Sequence, residues 1–376
     1  MHSTFRHQST ETIHHSGLEF HAMWFEGNQS IRKTNKPILV LLHGFLGSGE
    51  QFRHLMPELG KTCRPVTVDI CPMKYPDSPQ RLGTSKREDE SSKLEAKSQV
   101  DETSQLDETP QLDAKSRLDA PTQKGESARK DADSRLDTDS LVAGLRETLG
   151  RIRDGSGSPL VLLGYSMGGR LALSLATHHP ESLDGLILES TTAGITDPEQ
   201  RSERRASDRR KAALIRQDFG EFLEEWDRNP LFKPKRSSKS HPEPHSEHNP
   251  NPESRANQDA GQYAYPPGIE KTELQDRIRR IQRNQHPEIM AKWLEEFGTG
   301  MMPPVWDRLR LIRVPVLLIT GASDPKFCDL ADRMKTQLAD ARHVVIRGAA
   351  HRVHLDRPVE YAAALNDFLS KQIFTG

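Results

Sequence analysis

The chain has 376 residues, with 53 basic and 54 acidic side chains and a net charge of −1. This balance excludes general binding to nucleic acid, which needs a basic surface that displaces counterions from phosphates. Only 34% of residues are hydrophobic, below the roughly 45–50% apolar content of ordinary domains. Two segments, residues 77–140 and 233–262, cause the deficit, and the remainder is about 40% hydrophobic, enough to bury a core.

Both hydrophobic-poor segments are predicted to be disordered inserts. Residues 77–140 carry a degenerate six-residue repeat that offers about one aliphatic side chain per repeat, as in residues 93–98, too little to compensate the entropy lost on ordering. Residues 233–262 are rich in Pro, Asn and Ser. The spacing of His241, His245 and His248 could bind a metal, but we expect a solvated linker there and predict no metal site.

The N-terminal region and the cysteines bear on the compartment. Residues 1–16 contain no apolar run, and aliphatic runs such as Ile38–Leu42 are far too short to span a bilayer. The three cysteines are too few and too scattered for a disulfide framework. We therefore expect a cytoplasmic protein without a membrane partner, and the sequence sets no expectation for its oligomeric state.

Short aliphatic runs recur along the chain and alternate with helical patterns. Such runs are typical of strands buried on both faces, and the alternation predicts an α/β fold with a mostly parallel sheet flanked by helices. One helical pattern follows Asp139 and Ser140, its possible caps, with apolar residues at Leu141, Leu145 and Leu149. The predicted strands are 18–25, 38–42, 65–70, 160–163, 186–188, 314–320 and 343–346.

Residues 191–300 interrupt the strands with helical patterns. Asp197 as N-cap, Pro198 at the first helical position and Gln200 at the third predict a helix start. Further apolar patterns predict three more helices, around residues 219–226, 274–281 and 289–297. We predict a helical lid at 191–300, inserted between two parts of an α/β core at 1–190 and 301–376.

A serine in the pattern Gly-x-Ser-x-Gly follows the strand 160–163. Gly164 and Gly168 flank Ser166, and a helical run follows, which is the strand–turn–helix setting of a nucleophilic serine. The turn exposes the hydroxyl at a helix N-terminus, where the helix dipole favours developing negative charge. We predict that Ser166 is catalytic.

A nucleophilic serine needs a histidine base and a carboxylate that orients it. Asp324 follows the strand 314–320, and His351 follows the last strand. We predict that these two residues complete a triad with Ser166. His354 is the rival for the base and Asp329 the rival for the acid.

Backbone amides near Ser166 are predicted to stabilise an oxyanion. Phe45 follows the first aliphatic strand in the sequence Leu42-His43-Gly44-Phe45, and Met167 follows the nucleophile. In strand–turn–helix serine enzymes, amides at these two places face the oxygen that gains charge.

Arginines near the predicted pocket favour an anionic ligand. Arg170 lies one helical turn after Ser166 on the same face, where an unpaired guanidinium is costly, so it pairs with a protein carboxylate or with a ligand. Most arginines of the first lid helix are expected to be solvated surface charges.

With these motifs the sequence resembles the α/β-hydrolase superfamily, and within it the 2-succinyl-6-hydroxy-2,4-cyclohexadiene-1-carboxylate synthases of menaquinone biosynthesis. The narrower similarity covers nearly everything outside the two inserts. It is carried by five groups of residues: 164–170, 197–208, 222–232, 298–307 and 324–327. The turn after Asp69 departs from the Gly-His-Gly that is usual in relatives, which puts the loop geometry near the pocket in question.

The resemblance implies an elimination rather than a hydrolysis. The triad would remove a ring proton from an enolpyruvyl-substituted cyclohexene and pyruvate would leave, without a cofactor. The substrate would be a small polycarboxylate. The resemblance assigns its binding to the following residues: Tyr165, Arg170, Arg204, Trp226 and Arg283.

The sequence leaves open the identity of the two lid arginines and the type of reaction. Arg205 competes with Arg204, and Arg280 with Arg283, for the places of the family's lid arginines. A serine hydrolase that cleaves C–C bonds or carboxylesters shares the fold and triad and is the alternative function. Several arginines around one pocket favour the synthase over the hydrolase, because a neutral ester has no anionic group for them to bind.

Overall fold

A single eight-stranded sheet organises the protein, for which the computed structural model describes residues 6–26, 36–72, 137–153, 155, 157–234 and 270–373. The strand order is β1-β2-β4-β3-β5-β6-β7-β8, with β1 and β2 antiparallel and the other six strands mutually parallel. The strands are β1 (Arg6–His15), β2 (Leu18–Glu26), β3 (Ile38–Leu42), β4 (Arg64–Pro72), β5 (Leu160–Tyr165), β6 (Gly185–Glu189), β7 (Val316–Gly321) and β8 (Ala341–Ile346). The predicted α/β fold with a mostly parallel sheet is confirmed.

The central strands are continuous aliphatic runs because both of their faces are covered. Every residue of β3, β5, β6 and β7 is buried, and helices pack on the two sides of the sheet in two separate apolar cores. The strand β1 was not predicted. It pairs only with β2 at the sheet edge, and Ile13 is its one fully buried side chain among residues 9–15, so it shows no apolar run.

Helices connect the strands and build the layers around the sheet. Short 3-10 segments add to them at 49–55, 180–182, 230–232 and 306–311, and a π segment at 369–373. The α-helices are α1 (Met56–Leu59), α2 (Thr138–Ile152), α3 (Met167–His178), α4 (Pro198–Gln217), α5 (Phe219–Arg228), α6 (Lys271–Arg283), α7 (Pro287–Phe297), α8 (Pro325–Lys335), α9 (Val353–Asp356) and α10 (Pro358–Phe368). Within the described ranges, no helix is both long enough and apolar enough to cross a membrane.

The helix α2 begins earlier than its predicted caps. The carboxylate of Asp137 accepts a hydrogen bond from the Ser140 amide at 2.8 Å and caps a helix that starts at Thr138. Residues 138–140 therefore belong to a helix of the core and not to the predicted first insert. The Asp137 carboxylate satisfies an amide that the first helical turn leaves without an acceptor. Residues 77–136 and 235–262 of the two predicted inserts lie outside the described residues.

Four helices, α4 to α7, lie between β6 and β7 in the described part of the chain. The side chain of Asp197 caps α4 by accepting from the Gln200 amide at 2.8 Å, as its position predicted. An ion-pair cluster joins α4 to α7, because Arg216 donates to both Glu288 and Glu295 at 2.8 Å. These contacts hold the first and last of the four helices together above the ends of the parallel strands.

A buried carboxylate at the end of β6 links two loops beneath the predicted site. The backbone carbonyl of Glu189 accepts from the Ser166 amide at 2.9 Å. Its side chain, which is fully buried, accepts from the His354 amide at 3.1 Å and from His354 Nδ1 at 2.8 Å. Glu189 thus fixes the serine turn relative to the loop after β8.

Replacing Glu189 by Ala is expected to lower the free energy of unfolding by about 3–5 kcal/mol, because it leaves two buried donors of His354 without an acceptor. Urea denaturation measures the change. Glu224→Ala is the control, since Glu224 pairs with Arg228 on an exposed face and its loss is expected to change stability by less than about 1 kcal/mol. Equal effects of the two substitutions would contradict the role given to Glu189.

His54 supports the same loop from the opposite side. Its Nε2 donates to the His354 carbonyl at 2.7 Å, and its Nδ1 is buried without a hydrogen-bond partner among the described residues. Burial lowers the pKa of His54 to about 3, so the ring is neutral when folded. The unfolded chain binds the proton first as pH falls below about 6.5, and folding loses stability from there toward pH 3.

We expect wild-type protein to lose about 2 kcal/mol more stability between pH 7 and pH 5 than a His54→Gln variant, which lacks the titrating ring. Urea unfolding of both proteins at the two pH values measures the difference. Burial raises the pKa of Asp356 to about 6, which acts in the opposite direction, but Asp356 is present in both proteins and cancels. Identical pH dependence of the two proteins would show that His54 does not titrate as described.

Candidate active site

Ser166 occupies a sharp turn between β5 and α3. Its backbone has φ of 51° and ψ of −104°, a conformation that L-residues rarely adopt. Close packing on both sides requires glycine, because a Cβ on Gly164 would lie 2.5 Å from the Gly168 carbonyl oxygen and one on Gly168 would lie 2.6 Å from the His43 carbonyl oxygen. The turn holds the serine at the N-terminus of α3, where the helix dipole favours negative charge.

Three side chains from three strand ends form a hydrogen-bonded chain. His351 Nε2 lies 3.1 Å from Ser166 Oγ, and His351 Nδ1 lies 2.8 Å from Asp324 Oδ2. The side chains of His351 and Asp324 are 3% and 2% exposed. With Asp324 ionised, its oxygens can only accept, so His351 Nδ1 carries the proton and Nε2 is free to take one from the serine.

Neither rival residue joins the Ser166–His351–Asp324 chain, although His354 also lines the cavity. His354 is committed to Glu189 and is fully buried, and Asp329 is exposed on α8. Asp324 also accepts at 3.4 Å from the Phe327 amide in the first turn of α8, which helps to fix its carboxylate. The geometry therefore favours His351 and Asp324 over the two alternatives.

The residues predicted to supply oxyanion amides border the same cavity as Ser166. Phe45 follows β3 and Met167 begins α3, and both line the cavity. The Met167 amide lies in the first helical turn, whose amides have no acceptor within the helix. The next residue after Phe45, Leu46, has φ of 60°, a left-handed conformation that turns the loop away after the predicted amide.

Aromatic side chains form much of the wall of this cavity, whose volume is about 140 Å³. The Phe45 and Trp226 rings meet edge to face at 5.4 Å, and the Tyr165 ring lies 5.7 Å from His351. Burial raises the pKa of Tyr165, which keeps its hydroxyl protonated. The aromatic residues of the wall are Phe45, Tyr165, Trp226, Phe232, Trp293, Phe297 and Phe327.

Two of the predicted arginines meet at the lid side of the cavity. Arg204 Nε donates to both oxygens of Asp208, at 2.8 and 3.0 Å. Arg170 Nη1 donates to the Phe297 carbonyl at 2.9 Å and contacts Met302 Sδ at 3.0 Å. Burial and the charge of Arg204 lower the pKa of Arg170 to about 9, so its charge lies in a poorly solvated, unfavourable environment that an anion would relieve.

Two further cations that were not predicted line the cavity, Lys211 on α4 and Arg352 directly after His351. The Arg352 guanidinium lies 3.7 Å from the centre of the Phe232 ring. Lys211 could have been found from its spacing, because it lies seven residues after Arg204 and so on the same helix face. No periodicity indicates Arg352, which is on a loop.

The structure does not bring the predicted Arg283 to the cavity. Arg283 is exposed and is not among the residues that line the cavity, and its rival Arg280 is exposed as well. The cavity face of α6 consists instead of Ile278, Ile281 and the buried Gln282. Each helical residue turns by about 100°, so the position after Gln282 points away from the cavity.

The described residues contain no group of three or more His, Cys, Asp or Glu side chains that could hold a metal ion. The histidines considered for metal binding in the second insert, His241, His245 and His248, lie outside the described residues.

Curated relatives resemble this chain over part of their length. A 2-succinyl-6-hydroxy-2,4-cyclohexadiene-1-carboxylate synthase of Pectobacterium atrosepticum is 31% identical over 214 residues, which cover 56% of this chain and 69% of the relative. A Bacillus subtilis protein that provisionally carries the same enzyme name is 33% identical over 210 residues. The match covers 56% of this chain and 65% of the relative, just under two thirds of its length.

Solved structures support the same fold. The structure of MenH from S. aureus has a TM-score of 0.62 at 24% identity, covering 96% of this chain and 99% of the other. An esterase from Exiguobacterium antarcticum has a TM-score of 0.57 at 15% identity, covering 96% and 100%. Residues 39–364 match the sequence profile of the alpha/beta hydrolase family. With this match, the eight-stranded sheet and the serine turn between β5 and α3, the chain belongs to the alpha/beta hydrolase family.

Proposed function

We propose that the protein is a 2-succinyl-6-hydroxy-2,4-cyclohexadiene-1-carboxylate synthase, which eliminates pyruvate from an enolpyruvyl-substituted precursor in menaquinone biosynthesis. The observation that carries this proposal is a Ser166–His351–Asp324 chain that faces a cavity with convergent cations. The names of the relatives from Pectobacterium atrosepticum and Bacillus subtilis agree with it. A neutral ester has no anionic group for Arg170 and Arg204 to bind.

The first step of the proposed reaction is proton removal. His351 accepts the Ser166 proton through Nε2, and the serine oxygen takes a proton from a ring carbon of the substrate. Asp324 keeps the imidazole in the tautomer that this transfer requires and stabilises the imidazolium that forms. The ring carbanion delocalises toward the succinyl carbonyl.

The second step expels the leaving group. Electrons from the broken C–H bond form a ring double bond as the C–O bond to the enolpyruvyl group breaks. The group leaves as the enolate of pyruvate, which takes the proton held by His351 and becomes pyruvate, so the imidazole returns to its neutral form and no oxidant or reductant is needed. Amides of Phe45 and Met167 would stabilise the developing oxyanion, while the aromatic wall of the cavity excludes water from the ring.

The cations orient the substrate through its carboxylates. Arg170 uses Nη1 for the Phe297 carbonyl and the Met302 sulfur, which leaves the other donors of its guanidinium for a ligand. Arg204 is held by Asp208 and lines the same cavity. Guanidinium groups suit this task because they pair with a carboxylate through two parallel hydrogen bonds.

Incubation with the enolpyruvyl precursor is expected to release pyruvate, which lactate dehydrogenase and NADH detect. Ser166→Ala should reduce this rate by at least about 10³-fold, because it removes the group that transfers the proton, and circular dichroism should show that the variant is folded. A p-nitrophenyl ester assayed in parallel tests the alternative function. Rapid ester turnover without pyruvate release would show that the protein is a serine hydrolase instead.

Arg170→Met is expected to lower kcat/KM for pyruvate release by about 10- to 100-fold, because a charge-assisted hydrogen bond to the substrate is worth about 1.5–3 kcal/mol. Arg209→Met is the matched control, since Arg209 is exposed on α4 and lies outside the cavity. It should leave kcat/KM within about twofold. Unchanged kinetics in Arg170→Met would refute the anion-binding role.

A further inference from the structure

Helix geometry directs Lys211 into the catalytic cavity. Arg204, Asp208 and Lys211 occupy positions i, i+4 and i+7 of α4, which form one helix face, and all three line the cavity. The neighbouring Arg209 and Arg210 are exposed and lie outside it. Lys211 is thus distinguished from Arg209 and Arg210 by the direction in which it points.

Lys211 has no carboxylate of its own among the described residues. Asp208 is the single carboxylate among the described residues that line the cavity, and it is buried with both oxygens taken by Arg204. Lys211 forms no ion pair with any described residue. Burial, and then the charge of Arg204, lower the pKa of Lys211, while Asp208 acts in the opposite direction.

Three cations therefore share one internal carboxylate at the lid side of the cavity, namely Arg170, Arg204 and Lys211. Uncompensated charges in a poorly solvated site are unfavourable unless an anion enters. A ligand with more than one carboxylate would balance them. An ammonium group on a flexible chain acts as a point charge and needs no fixed direction of approach, which complements the two guanidinium forks.

We propose that Lys211 is a specificity-determining residue that binds a carboxylate group of the substrate beside Arg204. The inference rests on the proposed function for the identity of that substrate. The placement of Lys211 at the cavity, and its lack of an ion pair with any described residue, do not depend on that identity and can be tested with an unreactive polycarboxylate.

The test compares binding of tricarballylate, an unreactive tricarboxylate, by isothermal titration calorimetry. Lys211→Met should raise the dissociation constant about tenfold, the equivalent of one charge-assisted hydrogen bond. Lys211→Arg should bind within about threefold of wild type, because the charge is kept. Arg210→Met is the matched control, since it removes one positive charge from the adjacent, exposed position, and it should bind as wild type does.

The outcomes separate this inference from the proposed function. If wild type releases pyruvate but Lys211→Met binds tricarballylate as tightly as Arg210→Met does, Lys211 is a solvated lysine and the inference is overturned. If wild type releases no pyruvate, and only Lys211→Met binds tricarballylate more weakly than wild type does, the synthase assignment fails while the anion-binding role of Lys211 is supported. With pyruvate release intact, kcat/KM in Lys211→Met should fall about tenfold as well.

Discussion

The hydrogen-bonded position of His351 is the constraint on which the site depends. Its two ring nitrogens join Ser166 and Asp324 at 3.1 and 2.8 Å, and these residues come from loops after three different strands. The parallel sheet makes this possible because the carboxyl ends of β5, β7 and β8 lie at the same edge. Glu189 and His54 support the arrangement from below by holding the His354 segment.

In the proposed function, reactivity and selectivity reside in different parts of the fold. The core supplies the triad and the serine turn, whereas α4 supplies Arg204 and Lys211. The last residue of α7, Phe297, contacts the core by accepting a hydrogen bond from Arg170. Arg170 connects the two parts, since it begins one turn after the nucleophile and ends on the Phe297 carbonyl. The same serine chemistry can therefore serve different substrates according to the charges that the helices between β6 and β7 present.

Much of this site could be predicted from the sequence because its elements leave local signals. The aliphatic runs of β3 and β5 indicate strands that are buried on both faces. The glycines around Ser166 indicate a turn that is packed too closely for any larger side chain. The edge strand β1 left no apolar run, since its side chains are mostly polar; its local signal is the two-residue turn Ser16-Gly17, which joins it to β2 with positive φ at both residues. Motif matching alone could not place Arg283, because its position around the helix decides its exposure. Arg283 directly follows Gln282 in α6, yet Gln282 is buried and Arg283 is exposed.

The measurement that tests the account most directly is the structure of the Ser166→Ala protein with the enolpyruvyl precursor bound. We expect the ring carbon that loses its proton to lie within about 3.5 Å of the place of the missing hydroxyl, with carboxylates of the substrate on Arg170 and Arg204. A ring held away from residue 166, or carboxylates directed into solvent with both guanidinium groups unoccupied, would contradict it.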